Sequence, residues 1–332
     1  MKIALRVFLG LLVLLILAGV GGYHYFKNQF LSASPSRLTV AATASPIPFT
    51  WSAAQLGDHY EPHNALFLPV QVAGLEQPFR MQFDLGAPSS VLYGPAFQSV
   101  LDSTGLPIAF VDNESRSYAQ NVAFNIADAS VTVSEMRVMA YGEPVAWGAE
   151  TPPIIGTIGA DFISGKIGAI DFPNQTIRLF DQLPASMQDA SFVPFSFQGR
   201  RVILPIEVDG KTVQAMYDSG SSAFGLLTTE ENLARWGAGE TFSYDVNSWG
   251  QKVPAHNRAS QHAISIGGAD VPLQRVSYLE WPNKWQARLM SLSNMGAMLG
   301  NMPFLETTLV LDTQTQQFAV LPSTPQTAAL AP

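Results

Sequence analysis

Segments in which apolar and polar residues alternate run through much of the chain and are separated by glycine or proline. Residues 66–72 (LFLPVQV) lead into a turn at Gly74, and residues 79–83 (FRMQF) alternate strictly between apolar and polar side chains. Such alternation, bounded by turn residues, predicts β-strands in which every second side chain is buried. The pattern therefore favours short strands joined by tight turns.

The same plan occurs a second time further along the chain. Residues 66–94 (LFLPVQVAGLEQPFRMQFDLGAPSSVLYG) and 202–228 (VILPIEVDGKTVQAMYDSGSSAFGLLT) each open with an apolar strand that contains Leu-Pro and then pass a Gly turn. Each continues into a strand that ends in Asp-x-Gly, at Asp84 and at Asp218. A lone Asp-x-Gly is common, so it is the repeated surroundings that make these two informative.

The likeness continues downstream of both aspartates. Eleven residues after each comes a helix start, at Pro95 and at Thr229, where Thr228 and Glu231 have the spacing of a capping box. Duplication is the simplest account of a shared order of features. Each half then has an apolar run ending in Gly, a Phe, and an Asp twelve residues beyond that Gly: Gly159, Phe162 and Asp171, then Gly300, Phe304 and Asp312.

The composition agrees with an all-β protein of two lobes. Only 13% of the residues are charged, and the chain contains 26 Gly and 23 Pro, which suits many short strands better than long surface helices. A hydrophobic content of 47% is ample for a core, and 332 residues allow one large or two medium domains. Together with the duplication, this predicts two lobes of similar size.

The repeat resembles the pepsin-like and retropepsin-like aspartic proteases over roughly residues 62–322. In that family each lobe contributes one Asp-Thr/Ser-Gly from a turn after a strand, followed by a helix and by an apolar segment beneath the active loop. The resemblance implies an all-β, bilobal pepsin-like acid protease fold whose lobes are related by a pseudo-twofold axis. It also implies the site residues: Asp84 and Asp218 as the catalytic pair, supported by Gly86, Ser219, Gly220 and Ser221.

The chemistry implied is hydrolysis of peptide bonds by a water molecule activated between the two aspartates. Two carboxylates about 3 Å apart cannot both carry a full charge, so they share one proton. The ionised member takes a proton from the water, while the protonated member donates a hydrogen bond to the scissile carbonyl. No metal ion or cofactor is expected, and the expected partner is a peptide or protein substrate in the cleft between the lobes.

Leu85 departs from the family pattern. The family has Thr or Ser between Asp and Gly, and the hydroxyl bonds the backbone of the opposite loop; Ser219 retains that hydroxyl. A buried backbone group left unpaired costs about 1 to 3 kcal/mol, or roughly ten- to a hundredfold in rate if the cost falls wholly on the transition state. The alternative is therefore a catalytically impaired pepsin-like protein that binds peptides or partner proteins without cleavage. A third hypothesis is an unrelated β-rich envelope protein.

The fourth residue of the motif also differs between the halves, being Ala87 in the first and Ser221 in the second. A Ser at this position can hydrogen-bond the adjacent carboxylate and favour its ionised form. The missing hydroxyl at Ala87 leaves the shared-proton state accessible at higher pH, which predicts activity at mildly acidic to neutral pH.

A flap is the remaining expectation from the resemblance, since in that family a hairpin of the first lobe folds over the cleft with a Tyr near its tip. Residues 115–145 alternate enough to form two or three strands, with turns near Asp128 and Ser134. Tyr118 is the candidate flap residue, and Trp249 is its counterpart in the second half. A Tyr on an ordinary strand face is the alternative.

The N-terminus predicts a membrane anchor. Residues 7–23 (VFLGLLVLLILAGVGGY) are apolar or Gly and follow Lys2 and Arg6. They reach the lower end of the ~17 to 25 residues that span a bilayer, and the basic residues favour a cytoplasmic N-terminus. The globular part is then extracytoplasmic, in the periplasm or at the cell surface; a cleaved signal peptide is the alternative. The predicted order is a signal anchor or transmembrane helix (1–27), a Ser/Ala/Thr/Pro-rich linker (28–55), an N-terminal lobe (56–185), a C-terminal lobe (186–322) and a disordered tail (323–332).

Several other classes of function have no support in the sequence. The net charge is −8 with no basic cluster, which excludes a nucleic-acid partner, and the absence of cysteine excludes disulfides and thiol chemistry. Asp58, His59, Glu61 and His63 lie close together, but neither His has a helical partner at a metal-ligand spacing, so a polar lead-in to the first strand is favoured over a metal site. The remaining histidines, His24, His256 and His262, form no nucleophile-base arrangement with a Ser in a strained elbow, so serine hydrolysis has no support.

Overall fold

Alternating burial shapes the strands that lead to both Asp-x-Gly motifs. In β5 (Phe79–Phe83) the apolar side chains are buried, whereas Arg80 and Gln82 are partly exposed. In β15 (Lys211–Tyr217) the buried side chains are Ala215 and Tyr217. The structure, a computed structural model, describes residues 38–41, 43, 45–113, 116–248, 251–280 and 297–322. These residues are mostly β-sheet, so the predicted all-β class is confirmed.

The first half of the chain forms a sheet with nine described strands. Its strand order is β1-β9-β6-β10-β5-β4-β8-β7, with β3 paired to β4. Besides β5, its strands are β1 (Leu38–Val40), β3 (Thr50–Leu56), β4 (His59–Val72), β6 (Val91–Tyr93), β7 (Phe110–Asn113), β8 (Arg116–Ile126), β9 (Ala129–Met139) and β10 (Ile154–Ile158).

The second half forms another sheet with nine described strands, in the order β17-β18-β21-β16-β22-β15-β14-β19-β20. Besides β15, its strands are β14 (Ile203–Val208), β16 (Leu226–Leu227), β17 (Ala238–Ser248), β18 (Gln251–Ala259), β19 (Ala263–Ile266), β20 (Ala269–Pro272), β21 (Arg275–Leu279) and β22 (Ala297–Leu299).

These two sheets repeat one strand order. The neighbours β4, β5, β10, β6 and β9 in the first correspond to β14, β15, β22, β16 and β21 in the second. In both, the strand that ends at the motif aspartate runs parallel to the strand of the apolar-Gly segment. The strand of the apolar-Gly segment, β10 or β22, runs antiparallel to the strand that follows the motif, β6 or β16. The strand that follows the motif pairs in parallel with β9 in the first sheet and with β21 in the second. The duplication expected from the sequence is therefore present in the strand pairing.

A third sheet joins the two halves. It has the order β13-β24-β23-β11-β12-β2, and its centre is the antiparallel pairing of β11 with β23. The described residues belong to a single compact unit. The strands of this sheet are β2 (Ile47–Pro48), β11 (Ile167–Asp171), β12 (Thr176–Phe180), β13 (Val193–Pro194), β23 (Thr307–Asp312) and β24 (Gln317–Pro322).

Two described α-helices follow the two motifs. α1 (Gly94–Thr104) has Pro95 in its first turn and buries Ala96, Phe97 and Val100 against the first sheet. α2 (Glu230–Trp236) begins at the N-cap Thr229, whose hydroxyl accepts a hydrogen bond from Asn232 N at 3.3 Å. The cap is thus one residue later than the capping box predicted at Thr228 and Glu231. Short 3-10 turns occur at Ala160–Ile163, Ala185–Met187, Gln198–Arg200, Ser219–Ser221 and Met302–Phe304.

Two predicted boundaries are wrong. The linker predicted for residues 28–55 contains β1, β2 and most of β3, and within it Ile47 and Phe49 are buried in the core, so no extended tether covers residues 45–55. The turn predicted near Ser134 is absent, because β9 runs without a break from Ala129 to Met139; the chain turns at residues 127–128.

The structure does not describe residues 1–37 or 323–332, so the predicted membrane anchor and the predicted tail lie outside the described residues. Within the described ranges, no helix has the length and apolar character needed to cross a bilayer.

Candidate active site

Each motif aspartate is held at the end of a strand by a parallel neighbour. Asp84 follows β5, and its backbone N–H donates to Ile158 O of β10 at 2.9 Å. Asp218 follows β15, and its N–H donates to Leu299 O of β22 at 2.8 Å. The two loops therefore leave their sheets in the same way.

The two loops meet, and each carboxyl group lies against the backbone of the opposite loop. The Asp84 and Asp218 carboxyl groups are close enough to interact electrostatically. A methyl group added to Gly86 would lie 2.5 Å from the Asp218 carboxyl carbon, and one added to Gly220 would lie 2.6 Å from that of Asp84. Each glycine is therefore required, because its backbone lies directly against the carboxyl group of the opposite loop.

Hydrogen bonds from the loops hold each carboxyl group in place, but the two sides differ. The backbone N–H groups of Gly86 and Ala87 donate to Asp84 Oδ1 at 2.9 and 3.1 Å. Gly220 N donates to Asp218 Oδ1 at 2.9 Å, and the Ser221 hydroxyl donates to Asp218 Oδ2 at 2.9 Å. Hydrogen bonds to a carboxylate favour its ionised form. Position 87 is alanine, so the Ser221 hydroxyl has no counterpart there.

The electrostatics favour a proton on the first carboxyl group. Burial and the neighbouring Asp218 carboxyl raise the pKa of Asp84 well above its usual range, while the N–H groups of Ala87 and Gly86 act in the opposite direction. Asp84 and Asp218 are each partly exposed as whole residues. The pair can therefore hold one proton at a pH where an isolated aspartate is ionised.

The hydroxyl group of Ser219 connects the two loops. Its hydroxyl accepts a hydrogen bond from Leu85 N at 2.9 Å and donates to Phe83 O at 3.0 Å. Ser219 and Leu85 are both fully buried. The sequence expectation that Ser219 provides a cross-loop hydroxyl is thus met in the geometry. Leu85 places an apolar side chain in the core at the matching position.

Replacing Ser219 with alanine is expected to lower the free energy of unfolding by about 1 to 3 kcal/mol, because two buried backbone groups lose their partner. Urea unfolding of the full chain measures this change. Ser219→Thr keeps the hydroxyl and should recover most of the loss. Ser265→Ala removes an exposed hydroxyl that donates to Asp270, and should change stability by less than about 0.5 kcal/mol. Equal losses for Ser219→Ala and Ser265→Ala would contradict the role assigned to Ser219.

A buried carboxyl group, not identified from the sequence, supports the first loop. Asp161 accepts hydrogen bonds from Ser90 N at 2.9 and 3.0 Å and from the Ser90 hydroxyl at 2.7 Å, and that hydroxyl accepts from Gly159 N at 3.0 Å. Burial raises the pKa of Asp161, and the bonds from Ser90 oppose that shift. Arg200 Nε donates to Pro88 O at 2.6 Å and holds the same loop from the other half.

A neutral amide supports the second loop in the corresponding place. The Asn301 side chain donates to Ser219 O at 3.0 Å and to the Ser222 hydroxyl at 2.8 Å, and it accepts from the Tyr217 hydroxyl at 2.7 Å. Asn301 follows Gly300, and Asp161 lies two residues after Gly159. A polar residue one or two positions after each predicted apolar-Gly run was the sequence signal that could have identified Asp161 and Asn301.

One of the two predicted flap residues, Tyr118, lies among the described residues. Tyr118 lies half-buried on β8, opposite Val111 of β7 and Arg137 of β9. It is therefore part of the β7–β8 hairpin, and its role as a flap residue stays a prediction. Its predicted counterpart Trp249 lies outside the described residues.

Acidic and histidine side chains elsewhere do not assemble a metal centre. No group of three or more His, Asp or Glu residues that could hold a metal ion occurs in the part of the chain that the structure describes. His59 and Glu61, which lie on β4 and not in a polar lead-in before the first strand, contact Arg275 instead. A cavity of about 440 Å³ lies at β14, β15, β19 and β20 and is lined by neither aspartate.

Comparison with known proteins adds no family assignment to this geometry: no protein-family model matches the chain, and no curated protein is similar to it.

Proposed function

We propose that the chain is an aspartic endopeptidase with a bilobal, pepsin-like fold, which hydrolyses peptide bonds with a water molecule activated between Asp84 and Asp218. The observation that carries this proposal is the close approach of the Asp84 and Asp218 loops, in which the glycine of each loop lies against the carboxyl group of the other, at the junction of two loops that repeat in sequence and in strand pairing. Ion pairs with a purely structural role also shift the pKa of carboxyl groups. They do not require two glycines, each packed against the carboxyl group of the opposite loop.

The proposed mechanism is general acid-base catalysis by the pair. The ionised carboxyl group takes a proton from the attacking water, and the protonated one donates a hydrogen bond to the scissile carbonyl oxygen. The raised pKa of Asp84 and the Ser221 hydroxyl bond to Asp218 favour Asp84 as the group that carries the shared proton. The titration belongs to the pair as a whole, so a rate profile reports both carboxyl groups together.

A cleavage assay tests the proposal directly. The full chain is incubated with a mixed peptide library between about pH 4 and pH 8, with and without a statine-type transition-state mimic. We expect cleavage that the mimic inhibits, that depends on pH, and that is lost in both Asp84→Ala and Asp218→Ala. A rate that does not vary over this range, or cleavage that survives in either variant, would contradict the assignment.

Binding without cleavage is the second candidate function, and Leu85 is the observation that favours it. The side chain of Leu85 is buried and has no hydroxyl, so only Ser219 makes a cross-loop hydroxyl contact of the kind expected from both halves. Tight binding of peptides with no turnover in the same assay would favour this second function.

We also propose that residues 1–27 anchor the chain in a membrane, with the β-sheet part outside the cytoplasm. The basis is the apolar segment 7–23 that follows Lys2 and Arg6.

A further inference from the structure

A buried ion pair links the two halves beside the Asp218 loop. Glu61 lies on β4 in the first half and is 2% exposed, and Arg275 begins β21 in the second half. Arg275 Nη1 donates to Glu61 Oε2 at 2.8 Å. Burying two opposite charges is costly, and apolar side chains of the same volume are often equally stable or better. Stability alone is therefore a weak explanation for this pair.

The same guanidinium holds the loop that carries Asp218. Arg275 Nη1 also donates to Ala223 O at 2.8 Å, and Ala223 lies five residues after Asp218. The main chain of β21 comes so close to this loop that a methyl group on Gly225 would lie 2.3 Å from Arg275 O. The loop is thus fixed to β21 by one side-chain contact and one main-chain contact.

Aromatic rings fix the orientation of the guanidinium. Arg275 Cζ lies 5.4 Å from the centre of the Phe242 ring, and Nη2 lies 3.1 Å from His59 Nε2. The His59 ring stacks on Tyr244, with ring centres 5.7 Å apart and planes inclined by 8°. A planar group with several donors satisfies all of these contacts at once, whereas a lysine ammonium group does not.

The ion pair completes a continuous path between the two aspartates. Glu61 lies on β4, whose later residues pair with β5, and β5 ends at Asp84. From Glu61 the path continues through Arg275 and Ala223 to Asp218.

We propose that Glu61 and Arg275 are positioning residues: their ion pair sets the separation of the Asp84 and Asp218 loops at which the two carboxyl groups share one proton. They act on the reaction through the loop at residues 218–225 and not by contact with the reacting atoms. This inference rests on the proposed function, but the geometry that it concerns can be measured without turnover.

The test replaces the pair by apolar side chains in the full chain, as the double variant Glu61→Leu/Arg275→Met. We expect a melting temperature close to that of the unaltered chain, a kcat lower by about tenfold to a hundredfold, and a KM within about twofold. The control is Asp209→Asn/Arg235→Met, which removes an exposed ion pair of 2.7 Å between α2 and the turn after β14 and should leave kcat unchanged. An unchanged kcat in the stable Glu61→Leu/Arg275→Met variant would overturn the proposal.

Titration of the carboxyl groups separates this inference from the proposed function. Carbon-13 NMR of aspartate-labelled full chain should show the Asp84 carboxyl group titrating above its usual range, and the double variant should bring that titration closer to the usual range. If the unaltered chain neither cleaves peptides nor binds the statine-type mimic, the proposed function fails and the titration alone decides the positioning. Identical titrations in both chains overturn it. If the double variant does not fold, the Arg275→Lys variant is measured instead, because it keeps the positive charge opposite Glu61. The same comparison with the unaltered chain then decides the proposal.

Discussion

Replacing Asp84 with asparagine is expected to abolish peptide cleavage and, at the same time, to raise the free energy of unfolding at neutral pH. Burial and the neighbouring Asp218 raise the pKa of Asp84 well above its usual range, so the folded chain holds a proton that the unfolded chain releases. The stability due to this proton is fully present below the pKa of an unfolded aspartate, about 4, and is lost as the pH rises through the folded-state value. Asparagine has a similar shape and cannot ionise, so the Asp84→Asn variant does not lose stability in this way as the pH rises.

Chemical denaturation between about pH 3 and pH 8 measures this difference. At pH 7 the Asp84→Asn variant should be the more stable of the two chains, and the two curves should converge at the acidic end. Cleavage should fall by roughly a thousandfold. Asp209→Asn, at an exposed carboxyl paired with Arg235, should change neither quantity appreciably. An Asp84→Asn variant less stable than the unaltered chain at pH 7 would contradict the electrostatic account.

A methyl group on Gly86 is expected to reduce cleavage by a hundredfold or more, on the order of the cost of a 1 Å misplacement in an active site. It would lie 2.5 Å from the Asp218 carboxyl carbon, so the two loops must separate in Gly86→Ala. Gly220→Ala makes the mirror-image contact, at 2.6 Å from the Asp84 carboxyl carbon, and should have a similar effect. Steady-state kinetics should show the loss in kcat more than in KM.

Gly105→Ala is the control for the general effect of a glycine substitution. Gly105 ends α1 with φ +69°, and a methyl group there would meet no atom within 4 Å. The left-handed backbone should cost about 1 kcal/mol of stability, with no change in kcat. If Gly86→Ala retains the kcat of the unaltered chain, the two loops are not held together in solution as the structure has them.

The elements around the site were predictable because their signals are local. The alternation of apolar residues in β5 and the turn at Gly74 set which side chains are buried, and burial fixes the register of a strand. The repeated order of features then implied, through the family resemblance, that Asp84 and Asp218 meet, and the structure brings their carboxyl groups together.

The supports of the site were not predictable because they depend on pairs of residues far apart in the chain. Glu61 looked like part of a polar lead-in, and its partner Arg275 lies 214 positions away. Asp161 likewise acquires its role from Ser90, 71 positions before it. A sequence pattern reports the period of burial along one element, but not which polar group will face another across the core.

The N-terminal boundary was missed for a related reason. Residues 38–50 are poor in charge and rich in Ala, Ser, Thr and Pro, a composition that is typical of linkers. Ile47 and Phe49 are nevertheless buried, since β2 pairs with β12 in the sheet shared by both halves. A short strand of two residues has no periodicity to detect, and its apolar side chains gain a structural role only when the remainder of that sheet exists.

The central pairing of β11 with β23 has a consequence for how the chain could be divided. Ile167 lies opposite Asp312 and Asp171 opposite Thr308, so five residues of each half complete the backbone hydrogen bonding of the other. A polypeptide ending between the halves would leave both strands with open edges, which bind readily to any matching strand. Two separately synthesised fragments would consequently have a complementary surface for reassociation, and either fragment alone would be prone to self-association.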